Sequence, residues 1–118
     1  MDNDHLHDLF SLFGPITIKK MFGGKGIYAD GLIIAIELSG DGLLFKADEQ
    51  SAPEFAAAGS TQWTYEGKNK PAAMPYWTVP GSAVDDIDEL AFWARKALEA
   101  SHRAATKAKP KTVKKPKA

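Results

Sequence analysis

The sequence predicts an α+β domain of two layers, in which an antiparallel sheet built from β-hairpins carries helices on one face. Three observations predict it. Residues 6–13 and 87–98 repeat apolar side chains with helical spacing. Between them, short apolar runs alternate with turn signals, of which Asp30-Gly31 is the most specific for a hairpin. Consecutive hairpins make neighbouring strands antiparallel, and the helices must then cover a face of the sheet.

The first half of the chain predicts one helix and four strands. The helix has an apolar stripe at i, i+3, i+4 and i+7, formed by Leu6, Leu9, Phe10 and Phe13. Asn3 or Asp4 is expected to cap its start, and Gly14-Pro15 to end it. Strands are expected at residues 16–19, 27–28, 32–38 and 43–46, with residues 23–26 as a glycine loop.

The second half predicts a short helix, two more strands and a final helix. Ser51 and Glu54 have the spacing of a capping box, which predicts a helix ending near Gly59. Aromatic runs at residues 63–65 and 76–79 predict the two strands, and the last helix is expected to open at Asp85 or Asp86. The predicted order is α-β-β-β-β-α-β-β-α.

The formal net charge is zero, but the two ends of the chain carry opposite charge. Residues 1–101 hold eight Lys and Arg against fifteen Asp and Glu, a net charge of −7, whereas residues 102–118 hold seven basic residues and no acid. The terminal segment has no aromatic residue and one large aliphatic residue, so it buries too little surface to offset its chain entropy. We therefore predict a domain over residues 1–101 and a disordered Lys/Pro/Ala-rich basic tail over residues 102–118.

A flexible polycation can neutralise phosphates without reading a nucleotide sequence. The candidate nonspecific nucleic-acid contacts are the seven basic residues of the tail: Arg103, Lys107, Lys109, Lys111, Lys114, Lys115 and Lys117. A solvated tail without a partner is the alternative. An anionic membrane is not expected as a partner, because no amphipathic or lipidated element accompanies the tail.

The residue types and their spacing argue against disulfides, metal sites, dinucleotide sites and catalytic sites. The absence of cysteine excludes disulfides and thiolate sites, and the i, i+2 spacing of His5 and His7 does not suit a shared metal on a helix. Residues 24–29 fit G-x-G-x-x-A, but Asp30-Gly31 breaks the chain where a dinucleotide site needs a helix. We expect no catalytic residue, metal or cofactor. The longest apolar run is five residues, too short to span a membrane, and the N-terminus is polar, so a cytoplasmic location is expected.

Aromatic residues concentrate in the second half of the chain: Trp63, Tyr65, Tyr76, Trp77 and Trp93. Alternating aromatic residues can form base-stacking platforms, but such platforms usually lie in basic grooves. Because residues 1–101 are acidic, we expect these side chains to pack in the core instead.

Several motifs together resemble the TfoX/Sxy N-terminal domain family. The first is the run from Lys20 to Gly31, whose motif residues are Lys20, Met21, Phe22, Gly23, Gly24, Gly26, Asp30 and Gly31. It is followed by residues 44–48, by Trp63-Thr64-Tyr65 and by Met74-Pro75-Tyr76-Trp77. The resemblance implies an antiparallel α+β domain in regulators of natural competence and transcription, and it assigns no catalytic residue.

Two departures from that family limit what the resemblance implies. Lys20 stands where family members often carry Arg, and the basic tail stands where longer members add a second, helical domain. The competence role is therefore not carried over.

We expect a non-enzymatic regulatory or interaction module, whose acidic domain contacts a protein and whose tail contacts nucleic acid. One alternative is a small-ligand binder or unrecognised enzyme that uses the Met21–Gly26 loop with Lys20 and Lys25. The other is a protein-only adaptor, which could form a homodimer through the exposed face of its sheet.

Overall fold

A sheet of six antiparallel strands, with helices before, within and after it, forms the part of the chain that the structure describes. This computed structural model describes residues 2–21, 23–38, 42–66 and 71–117. The elements in chain order are α1 (Asn3–Leu9), β1 (Thr17–Met21), β2 (Gly24–Ala29), β3 (Leu32–Leu38), β4 (Gly42–Lys46), α2 (Ala52–Ala57), β5 (Gln62–Glu66), β6 (Pro71–Thr78), a 3₁₀ turn (Gly81–Ala83) and α3 (Ile87–Lys117). The predicted class and element order are confirmed.

The strand order across the sheet is β1-β2-β3-β4-β6-β5, and every neighbouring pair is antiparallel. The first four strands form the predicted meander. Asp30 and Gly31 join β2 to β3 with φ angles of 55° and 77°, as a primed two-residue turn requires. Residues 67–70, between β5 and β6, lie outside the described residues.

All three helices pack on one face of the sheet, as predicted. A chain of ring contacts, with centroid distances of 6.1, 6.3 and 4.7 Å, joins Phe10 directly after α1, Phe45 of β4, Phe55 of α2 and Trp93 of α3. The three phenylalanines are fully buried. Trp77 packs against the same core, so the expected core packing is confirmed for both Trp77 and Trp93.

The opposite face of the sheet covers its own apolar residues. Ile36 and Leu44 pair across β3 and β4 on that face and are only 4% and 1% exposed. Tyr28 and Tyr76 lie on the same face by strand alternation and are half-buried. Burial, and then the neighbouring Tyr28, raises the pKa of Tyr76. Met21, which lies on the same face by strand alternation, is the exception and is 40% exposed, so the homodimer hypothesis stays a prediction.

The prediction of a glycine loop over residues 23–26 is wrong. Gly24, Lys25 and Gly26 belong to β2, where Gly24 pairs with Leu38 and Gly26 pairs with Ile36 of β3. The glycines mark positions where other groups approach the strand closely, rather than a break in it.

The start of α2 also differs from the prediction. Ser51 makes no side-chain cap, and the reciprocal pair lies three residues earlier. The Asp48 carboxylate accepts a hydrogen bond from the Ser51 backbone N–H (2.9 Å), and the Ser51 hydroxyl accepts one from the Asp48 N–H (3.1 Å). Asp48 thus takes the capping role that the sequence pattern assigned to Ser51, and Ser51 takes the role assigned to Glu54.

The other two helix starts lie near the predicted caps. Asp2, rather than Asn3 or Asp4, accepts a hydrogen bond from the His5 N–H and caps α1. Asp86 accepts hydrogen bonds from the Asp88 and Glu89 N–H groups at the start of α3, as one of the two predicted caps.

The backbone of residues 102–117, predicted as a disordered tail, is helical in this structure and continues α3 past the predicted boundary to Lys117. Residues 103–109 are rich in Ala, Lys and Arg, which favour helix, whereas Pro110 and Pro116 further along disfavour it. Extending a helix that is already docked needs no new nucleus.

Candidate functional site

The glycine motif between β1 and β3 serves close backbone packing. At Gly24, a side-chain Cβ would collide with the backbone carbonyl oxygen of Glu37 on the neighbouring strand. At Gly26, it would meet the Tyr28 ring at 3.0 Å and the Met21 sulfur at 3.4 Å. Gly23, with φ of 81°, turns the chain between the strands. These positions require glycine for steric reasons.

The two lysines beside this motif line neither of the two cavities described below. Lys20 is exposed on β1, and the Lys25 ammonium donates a hydrogen bond to the Asn3 side-chain oxygen of α1 at 2.9 Å. Phe22, the remaining motif residue, lies outside the described residues. The small-ligand alternative at the Met21–Gly26 segment stays a prediction.

Arg103 holds α3 to the turn before α2. Its Nε donates to one Asp48 carboxylate oxygen at 2.7 Å and its Nη2 to the other at 3.0 Å, in a two-point ion pair. Hydrogen bonds from Arg103 first, helped by those from Ser51, hold the pKa of the Asp48 carboxyl well below its ordinary range, although partial burial opposes them. The same pair raises the pKa of Arg103. Arg103, predicted to contact phosphate, is thus engaged within the fold.

Two neighbours of Arg103 fasten the same stretch of α3 to the β2–β3 hairpin. The buried Ser101 hydroxyl donates to the Ile33 carbonyl oxygen at 2.6 Å, and His102 Nε2 lies 3.0 Å from an Asp30 carboxylate oxygen. Asp30, part of the glycine motif, therefore both makes the hairpin turn and contacts α3. Together these contacts fix α3 as far as residue 103.

Six lysines follow on α3 beyond that point. Lys107, Lys109, Lys111, Lys114, Lys115 and Lys117 all have helical backbone. Their side chains are outside the described part of the structure. We call residues 104–117 of α3 the basic extension; it holds six Lys and no Asp or Glu.

An apolar cavity of about 280 Å³ opens where α1, the ends of β4 and β6, and the start of α3 meet. Its lining consists of Leu9, Leu43, Thr78, Val79, Ala83, Val84 and Leu90. Val84 is 59% exposed and Ile87, three residues along, is 40% exposed. We call this cavity with residues 82–90 around it the α1/α3 corner. The sequence analysis missed the cavity, although its acidic margin was visible in the sequence.

A second cavity, of about 310 Å³, lies next to Asp48. The end of β4, the α2 turn and strands β5 and β6 enclose it, with Trp77 at its base and Gln62 on its margin. The Gln62 side-chain amide donates to the Met74 carbonyl oxygen at 2.9 Å, which ties β5 to β6 across it.

Within the residues that the structure describes, no three His, Asp or Glu side chains come close enough to hold a metal ion. His5 and His7 are exposed on α1, and His102 faces Asp30. None of the described helices is long and apolar enough to cross a membrane.

The sequence model of the TfoX N-terminal domain family matches residues 8–101. The chain belongs to this family. The match begins within α1 and ends at Ser101, so it covers the whole sheet, both cavities and α3 as far as Ser101. A search of curated proteins found no match.

Membership in the TfoX N-terminal domain family confirms the resemblance identified from the glycine motif. The family is one of regulatory and competence domains rather than of enzymes. Arg103 and the basic extension lie beyond the matched residues. The ion pair between Arg103 and Asp48 therefore joins a residue outside the family match to one inside it.

Proposed function

We propose that the protein is a non-enzymatic regulatory module of the TfoX type, and that its basic extension contacts nucleic-acid phosphates without sequence preference. The observation that carries the proposal is the separation of charge along α3. Asp88 and Glu89 lie in the first turn of this helix, and the six lysines of the extension follow its docked portion.

The geometry of α3 supports an extension that acts apart from the acidic domain. About 20 residues separate Ile87 from Lys107, which corresponds to roughly 30 Å of helix. That distance is several times the screening length of about 8 Å in physiological salt, so the acids at one end do not neutralise the lysines at the other. Acids at the start of a helix and bases at its end also suit the helix dipole.

The engagement of Arg103 changes the expected number of phosphate contacts. Because Arg103 is paired with Asp48, six lysines remain as candidates: Lys107, Lys109, Lys111, Lys114, Lys115 and Lys117. If all six contact duplex DNA, the affinity should fall with salt with a log–log slope of at most about −5. Binding should depend little on sequence, because phosphate contacts carry no base information.

Two triple variants with equal charge change test this proposal. One replaces Lys107, Lys109 and Lys111 with Gln, and the control replaces Lys19, Lys20 and Lys46 of the sheet with Gln. Binding of each full-length variant to a fluorescent DNA duplex is measured by anisotropy from low to high salt. For the extension variant, the slope of log affinity against log salt should be shallower by up to about 2.7, and most of the affinity at low salt should be lost. The sheet variant should keep both the slope and the affinity.

Equal losses in the two variants would show that only net charge matters and would contradict a role for the extension. An unchanged slope in the extension variant would contradict it as well. Glutamine has good helix propensity, so these variants keep the helix while removing the charge.

A further inference from the structure

We propose that the α1/α3 corner is a docking site for a basic peptide segment of a partner protein, which inserts a bulky aliphatic side chain into the cavity. This inference goes beyond the nucleic-acid contact proposed above, because it concerns the opposite end of α3 and a different class of partner.

The cavity and its margin supply apolar surface that the chain itself leaves uncovered. The lining is apolar except for Thr78. Val84 is part of this lining, and its side chain is 59% exposed. Ile87, within residues 82–90 of the corner, adds a side chain that is 40% exposed. Large side chains exposed around a cavity are typical of an interaction site.

The negative charge near the α1/α3 corner indicates the charge of the partner that it would bind. Two segments of the chain, residues 1–18 and 81–94, form the corner and contain seven acids and no Lys or Arg. The remainder of residues 1–101 holds eight acids and eight bases. The whole excess negative charge of the domain therefore belongs to the two segments that meet at this cavity.

Three ion pairs among the described residues lie outside these two segments, whereas the Lys25 ammonium reaches the Asn3 side chain at the start of α1. Those pairs join Lys96 to Glu54, Arg103 to Asp48 and His102 to Asp30, all outside the two segments. A low-dielectric cleft with charge of one sign at its margin concentrates the field and attracts a ligand of opposite charge. The partner should accordingly be rich in Lys or Arg.

The lining of the cavity suits an aliphatic side chain of a peptide. Its volume of about 280 Å³ accommodates such a side chain, and Thr78 is the one polar residue type in a lining where small-molecule sites usually place several polar groups. A second copy of the chain is disfavoured, because a two-fold contact would place acidic corner against acidic corner. The basic extension of the same molecule lies about 30 Å away along α3.

The first test uses a synthetic amphipathic peptide of Leu and Lys, with its leucines at helical spacing, as the probe. Its binding to the full-length protein is measured by calorimetry. We expect Val84→Ser to weaken binding about fivefold through lost apolar contact. Because Val84 is largely exposed, this variant should fold normally. Phe92→Ser removes another exposed apolar side chain (45% exposed), one that does not line the cavity, and should bind like the wild type.

The second test separates local from overall charge. Asp85→Asn with Asp88→Asn should weaken peptide binding about three- to tenfold at low salt. Glu49→Gln with Glu99→Gln makes the same change in net charge at exposed positions outside the two acidic segments, and it should have little effect. The Lys107, Lys109 and Lys111 variant described above should bind the peptide normally, which keeps this test separate from that of the nucleic-acid contact.

Three results would overturn the proposal. One is undiminished binding by Val84→Ser. The second is equal binding of a peptide in which Ser replaces Leu or Glu replaces Lys. The third is a dimer by light scattering that Val84→Ser dissociates, which would make a second copy the occupant.

Discussion

Replacing Gly24 with alanine should destabilise the domain through a collision between two strands. Gly24 lies opposite Leu38 in the β2–β3 ladder. A Cβ at this position overlaps the Glu37 carbonyl oxygen and comes within 3.0 Å of the Glu37 carbonyl carbon and 3.1 Å of the Leu38 Cα. All three are backbone atoms, so no rotamer change removes the overlap and the strands must move apart.

The size of the effect follows from the kind of atom involved. Overpacking usually costs about 1–3 kcal/mol, and we expect the upper part of that range because the obstacle is backbone. For a domain of roughly 100 residues, 1 kcal/mol corresponds to about 4–8 °C in Tm, so the expected loss is about 8–20 °C. Gly26→Ala should cost less, because the groups within 3.4 Å of its Cβ are the movable side chains of Tyr28, Ile33 and Met21.

Thermal unfolding followed by circular dichroism, with urea denaturation as a second measure, tests this prediction. Gly81→Ala is the matched control, because a Cβ there meets no atom within 4 Å and no positive φ requires glycine. It should be neutral or stabilising by up to about 1 kcal/mol. A Gly24→Ala protein with the same Tm as Gly81→Ala would refute the steric explanation of the glycine motif.

Two further predictions concern the contacts that hold α3. Asp48→Asn should lower the free energy of unfolding at pH 7 by about 1–3 kcal/mol, because it removes the charge that Arg103 pairs with. Folding lowers the pKa of Asp48, so the ionised carboxylate stabilises the folded state fully above pH 3.8, its ordinary pKa. This stabilisation is lost progressively as the pH falls below 3.8. Urea denaturation at pH 7 and pH 3 should therefore show a smaller difference between variant and wild type in acid, and a constant difference would contradict the ion pair as its cause. Ser101→Ala should lower the free energy of unfolding by about 1 kcal/mol, because it removes the 2.6 Å hydrogen bond to Ile33. It should also speed amide hydrogen exchange in residues 99–106. Unchanged exchange would show that this hydrogen bond does not hold the helix.

Local turn chemistry predicted the strand order well, because each hairpin needs only a few residues to specify it. Asp30-Gly31 adopts the two positive φ angles of a primed turn, and it alone fixes how β2 meets β3. The same reasoning failed at residues 23–26. A glycine required by a neighbouring strand has the same sequence signal as a glycine required by a turn, and the neighbour, Glu37, is 13 positions away from Gly24.

The site was less predictable than the fold because its parts come together only in three dimensions. The opposite charges of the two chain ends were evident from composition, but nothing local indicated that Arg103 would pair with Asp48, 55 positions earlier. The cavity at the α1/α3 corner is formed from four separate parts of the chain. Its acidic margin was visible as a run of Asp and Glu, of which the sequence analysis used only Asp85 and Asp86, as candidate starts of the last helix. Asp86 is indeed a cap, and its neighbours add charge beyond that role.

The opposite charges along α3 give the molecule an electric dipole along this helix. The helix begins beside an acidic corner, is held to the fold as far as Arg103 and carries six lysines beyond that residue. A polyanion attracts the lysine end and repels the acidic end, so it would orient the protein as well as hold it. A molecule oriented in this way points its α1/α3 corner away from the polyanion, where that corner stays open to another protein.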